Sequence, residues 1–431
     1  MIPASLSLEQ APPLAAPMRF FLTAPLYLVA AGALLVYAGP AVLATRWAPV
    51  TMALTHLVTL GFIAQVMFGA ILQVLPVVAG APVARARAVA TLAHIGLNLG
   101  TLALVAGFLL NAARLLQFAA AALAVGVGTM VIGGTLALAR ARGAASATIT
   151  GLRLAFGALA VTLVLGALLV FALLGAPHLE LVPLLAAHVA WGFLGWILGL
   201  VVAVAYQVVP MFQVTPAYPA QLGRLLLPAL FTTLALRSLA SGWGLPPAAG
   251  VLLDNLLALA AISFAAATLW LQQHRRRRIA DVTVQFWKLA MLCLIGVALL
   301  GAASTWLAPL DSDPRLPLVL GTLALFGFAV AVVSGMLYKI VPFLIWFHAQ
   351  ARARGHVTLR GTQDIVTPAA ARWHLRLHLM SFVLLAGALF WPVGLSRPAG
   401  LLWMATGAWL ARNLYGAARS LPPMTATTPQ R

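Results

Sequence analysis

The sequence predicts an all-α integral membrane protein, and three observations carry that expectation. Hydrophobic residues make up 63% of the 431 positions and charged residues only 8%, whereas about a quarter of residues are charged in soluble proteins. Apolar Ala/Leu-rich runs recur along the chain, each near the ~20 residues that a spanning helix needs. The arginines gather between these runs, as membrane topology distributes them. The net charge of +19 is therefore assigned to topology, with the lipid bilayer as partner and no nucleic acid. A closed barrel would need short alternating strands, which these runs do not resemble. The lone cysteine, Cys293, excludes an internal disulfide framework and a Cys-rich metal site.

Twelve spans follow in order. Residues 1–18, with Glu9 and four prolines, read as a short tail and not a cleaved signal. Span 1 (19–44) and span 2 (49–78) end at the breakers Gly80 and Pro82, and span 3 (87–111) and span 4 (114–139) complete a first group. Span 5 (153–175) stops before Pro177, and span 6 (181–212) before Pro216 and Pro219. Span 7 (223–243) is parted from span 8 (249–272) by Pro246 and Pro247. Span 9 (284–308) precedes Pro314 and span 10 (316–347); spans 11 (373–395) and 12 (399–418) leave 419–431 as a second tail.

Connections after even-numbered spans hold most arginines: Arg85 and Arg87, Arg140, Arg142 and Arg153, Arg224, Arg275 to Arg278, and Arg352, Arg354, Arg360 and Arg372. Glu180, Asp254, Asp311 and Asp313 lie toward the other side. The positive-inside rule then puts both termini in the cytoplasm of a cell (inner) membrane protein. It also reads His274 to Arg278 as a topology anchor.

Spans 2, 6 and 10 share a motif. Gly61-Phe62, Gly195-Trp196 and Gly327-Phe328 begin fifteen residues before Pro76, Pro210 and Pro342. Gly69, Ala203 and Gly335 lie seven before them. The prolines are 134 and 132 residues apart, so the chain reads as three four-helix units, approximately 19–139, 153–272 and 284–418. Gln73, Gln207 and Lys339, about a turn before each proline, are expected to bond the carbonyls that proline frees.

Intramembrane ionisable groups are functional candidates. His56 and His188 fall in the outer third of spans 2 and 6, twenty and twenty-two residues before their prolines. At ~100° per residue the offset turns them ~200° apart, which argues against assuming that they meet. Both are candidate metal or haem ligands, as is His94, which has Asn98 one turn on. His374 and His378, spaced i,i+4, share a face and could chelate an ion. Flanked by Arg372 and Arg376, they read better as an interfacial helix start. Asp254 and Arg237 are expected to pair.

Twelve spans, three units and the histidines in "AHVAWGFLGW" (187–196) and span 2, together with "AYQVVPMF" (205–212), resemble subunit I of the haem–copper oxidase superfamily. They also resemble the NnrS-type haem and copper membrane proteins linked to nitric oxide stress. The resemblance implies His56 as an axial ligand of a b-type haem, His188 as a copper ligand and Arg397 as a partner of haem propionates. Span 7 lacks the family's adjacent histidine pair, and span 10 lacks both of its haem ligands. Gly192 stands where a tyrosine is expected. A usual haem–copper centre cannot be assembled, and proton-pumping oxygen reduction is not expected. The expectation is a haem-binding protein, with copper as a second metal it could take, in nitric oxide or redox stress or electron transfer to a redox partner protein. If it is an enzyme, it is an oxidoreductase. A transporter or channel, and a cofactor-free assembly subunit of a redox complex, are the alternatives. No P-loop, dinucleotide fingerprint, HExxH or GxSxG is present.

Overall fold

The computed structural model describes residues 12–141, 146–240, 246–276, 281–353 and 361–420, and among these there are helices and no strands. Ten helices are long and apolar enough to cross a membrane: α1 Ala15–Leu43, α2 Pro49–Ala79, α3 Ala86–Leu109, α4 Ala113–Ala139, α5 Ala147–Leu173, α6 Leu181–Gln213, α7 Ala220–Ala240, α8 Pro247–Gln273, α9 Val282–Ser304 and α10 Leu316–Gln350. Two more follow, α11 Pro368–Ala388 and α12 Pro392–Arg419. They are long enough but less apolar. Leader and tail fall partly outside the described residues, as do Arg277, Arg278, Arg354, Arg360 and His356.

Prolines sit at the first turn of α2, α8, α11 and α12, where a missing N–H costs nothing and the fixed φ suits a helix. Side-chain caps begin others. Ser146 accepts from Ile149 N at 3.2 Å, and Asp281 from Thr283 N at 2.9 Å. Gly80 ends α2 in the left-handed region (φ 58°), which a glycine adopts without steric cost.

α2, α6 and α10 lie at the centre and are mostly buried along their second halves. Each changes pitch. Leu57–Ala64, Trp191–Leu198 and Thr322–Val330 are π-helical, and each stretch ends twelve residues before Pro76, Pro210 or Pro342. The glycine–aromatic pairs read from sequence fall inside these stretches. Their glycines admit a neighbouring helix: a Cβ on Gly61 would strike the Tyr27 ring of α1, and one on Gly195 would lie 2.8 Å from Ala158 Cβ of α5. A Cβ on Gly327 would lie 2.5 Å from Cys293 Sγ of α9. The second small positions do the same: Gly69 against Phe21 of α1, Ala203 against Gly151 of α5, and Gly335 against Phe286 of α9.

The expected role of the polar residues before the prolines is not what the structure contains. Lys339 Nζ pairs with Asp281 Oδ2 of α9 at 2.8 Å, and the buried Gln73 amide has no hydrogen-bond partner among the described residues. An ammonium beside a carboxylate gains more than one beside a carbonyl. The expected Arg237–Asp254 pair is present, at 2.8 Å. In the connection before α10, the Arg315 guanidinium hydrogen-bonds Asp313 through two nitrogens and holds its carboxyl below the usual carboxylate range.

Candidate functional site

α1 turns into α2 through residues 44–48, and the Thr51 hydroxyl locks the turn by donating to Val42 O at 2.6 Å. His56 is the last α-helical residue before the π-helical stretch. Its Nδ1 lies 2.8 Å from Met52 O. A carbonyl only accepts, so Nδ1 is the protonated nitrogen and Nε2 keeps its lone pair. The ring rests against Phe108 of α3, centroids 5.6 Å apart.

His188 stands seven residues into α6, as His56 does into α2. Its Nδ1 donates to Thr162 O of α5 at 3.1 Å. A Cβ on Gly166 would come within 3.1 Å of His188 Cε1, so the ring lies close against α5 at this glycine. Among the described residues nothing hydrogen-bonds Nε2 of either imidazole. An imidazole with Nδ1 on a carbonyl and Nε2 free is an arrangement metal-ligating histidines use.

The outer half of α6 is less covered than the inner half: residues from Leu181 to Leu194 are half-buried or exposed, whereas Gly195 to Ala203 is buried throughout. Arg397 lies at the same end, exposed, its guanidinium across Gly39, whose φ of 56° ends the α-helical part of α1.

His94 lies elsewhere. Its Nε2 meets the Thr23 hydroxyl of α1 at 3.0 Å. That hydroxyl donates to Arg19 O, so it accepts the Nε2 proton. Asn98 bonds His94 O and accepts from Tyr27. The expected metal ligand is thus a polar link between α1 and α3, with Nε2 already engaged.

His374 and His378 differ from the expected interfacial helix start. Both are 0% exposed, because α11 turns them into the bundle while Arg372 and Arg376 face outward. Their i,i+4 spacing was visible in the sequence; their burial was masked by the flanking arginines. Among the described residues no group of three or more His, Cys, Asp or Glu gathers around a point. A cavity of about 130 Å³ lies between the second halves of α2, α6 and α10. Its lining, including Met67, Val204, Met336 and Phe343, is apolar except for Gln73 and Trp287. It holds no histidine and is below the ~300 Å³ of small cofactor pockets, so it does not suit a haem.

No family model matches the chain, and no curated protein matches it significantly.

Proposed function

We propose that this is a twelve-span membrane protein of oxidase-like design that holds a haem between the first halves of α2 and α6. The observation that carries this reading is the imidazole pair. His56 and His188 each stand seven residues into their helix, anchored through Nδ1 to a backbone carbonyl, with no hydrogen bond to Nε2 among the described residues. That donor set suits haem iron. In this reading His56 would hold the haem iron, and His188 would hold it as well or would bind copper. Arg397 supplies a cation at that end for a propionate carboxylate. A haem held there supplies one-electron transfer, or a gas-binding position where one axial site stays open. The chain's own part is to fix both tautomers through Met52 and Thr162, to orient the rings through Phe108 and Gly166, and to keep bulk water from the inner side of the site.

The threefold internal repeat supports the reading. Matching π-helical stretches, prolines and glycine contacts recur in three units, and in each unit the central helix packs on the first helix. His56 rests against α3 and His188 against α5.

The protein purified in mild detergent and supplied with haem should show a Soret band. His56→Ala should abolish or strongly shift it, His188→Ala should change its position or the spin state, and His94→Ala should leave it unchanged. A folded preparation that stays colourless after haem supplementation would sink the proposal.

A further inference from the structure

Four ring nitrogens lie buried without a hydrogen-bond partner among the described residues: Nδ1 and Nε2 of both His374 and His378. A buried polar group left unpaired costs about 1–3 kcal/mol, and natural interiors avoid it. Here the orphans are adjacent, on one face of α11. Trp403 Nε1 and Ser334 Oγ are also buried and unpartnered among the described residues. The Trp403 ring lies 5.3 Å from that of His378, and Ser334 is one turn before Tyr338, whose ring lies 5.5 Å from that of His374. The Phe286 ring lies 5.4 Å from both imidazoles.

The chemistry of this pocket selects an ion. It offers two neutral imidazoles, hydroxyls and aromatic faces, and among the described residues no carboxylate or thiolate joins them. A divalent ion there would keep two uncompensated charges in a low-dielectric site, which is costly. A monovalent d¹⁰ ion brings one charge and is satisfied by two nitrogens in line, with the aromatic faces stabilising it further. An imidazole bound at about 2.0–2.1 Å places its ring centre about 3.2 Å from the metal, so two rings on opposite sides have centres about 6.4 Å apart. The centres of His374 and His378 are 6.5 Å apart, a separation that admits an ion between them when a nitrogen of each ring turns toward the other. The aromatic rings packed at 5.3–5.5 Å leave no flat face for a porphyrin. Arg372 and Arg376 do not oppose the ion directly, since both are exposed on the far face and Arg376 lies over Trp373.

We infer that His374 and His378 form a buried two-coordinate site for Cu(I), separate from His56 and His188. This stands on its own geometry and does not need a haem at that pair. The test is anaerobic titration of the full chain in detergent with Cu(I) against a competing chelator, repeated with Ag(I) as a redox-inert probe. One ion per chain is expected in the His188→Ala background, where copper at His188 does not enter the count, and X-ray absorption there should find two nitrogen neighbours at about 2 Å. His374→Phe and His378→Phe should each weaken binding at least ~100-fold, the upper end of what loss of a supporting partner alone produces; His94→Ala should not. The absorption measurement needs no change at His374 or His378, so it decides the matter even if a phenylalanine disturbs packing. A folded wild type that takes up no Cu(I), a four-coordinate site that prefers Zn(II), or binding lost in His56→Ala and kept in His374→Phe would each overturn the assignment.

Discussion

Asp281 does two things with one carboxylate. It caps α9 by accepting from Thr283 N, and it pairs with Lys339, one of only two lysines in the chain. The pair is partly exposed, with 30% of the Lys339 side chain and 23% of the Asp281 side chain accessible, so its Coulomb share is modest, about 0–1 kcal/mol. Loss of a cap costs typically ~1 kcal/mol. Asp281→Ala removes both and should lower the melting temperature in detergent more than Lys339→Met, where the cap survives. Equal losses in the two variants would show that the cap contributes nothing. The sequence made Lys339 visible as an unusual charge near a proline. It could not say that the partner would be a carboxylate fifty-eight residues upstream, because that depends on α9 packing beside α10. For His374 and His378 the local charges pointed one way and the helix rotation decided the other.

At the scale of the element, the repeated glycine–aromatic pair was legible as a motif but not as a change of pitch. In a π-helical stretch the hydrogen bond runs from i to i+5, so apolar periodicity reads almost the same as for an α-helix when every position is apolar. What the sequence did carry is the small residue that lets α1, α5 or α9 approach the widened turn. Such stretches re-aim the residues beyond them, and here the residues beyond them in α2 and α6 are His56 and His188. Deleting Phe193 should restore α-helical pitch in α6. The change of twist from the i→i+5 to the i→i+4 pattern would re-aim its outer half, carrying His188 off Thr162 and Gly166. The expected outcome is a changed haem spectrum in the deletion variant but not in Phe193→Leu, with helical content retained in both. A spectrum indifferent to the deletion would mean that the π-helical turn has no part in setting the ligand.

For the whole molecule, the membrane class was plain from composition, whereas the status of the last two helices rests on packing. α11 and α12 fall short of the hydropathy of the first ten because Arg372, Arg376, Arg397 and Arg412 interrupt them. Yet α12 runs antiparallel along α1 in backbone contact. A Cβ on Gly32 would lie 2.6 Å from Gly400 O, one on Gly407 would lie 2.8 Å from Val29 N, and Arg397 covers Gly39. A helix seated that closely on a spanning helix shares its depth, and small residues at the seam are how such pairs approach in lipid. Its 28 residues extend about 42 Å, enough for arginines near both ends to reach the interfaces. If α11 and α12 both cross, the turn between them lies on the side opposite the C-terminus; if they do not, both lie on one side. The native Cys293 is buried, so an introduced thiol can be read against a quiet background. Phe390→Cys, at a position 68% exposed in that turn, should react with an impermeant maleimide added outside intact cells. Ser420→Cys, at the end of α12, should react only after permeabilisation, which also tests the cytoplasmic placement of the C-terminus drawn from the arginine distribution. Labelling of both thiols only after permeabilisation would make α11 and α12 a hairpin on the cytoplasmic side and reduce the spans to ten.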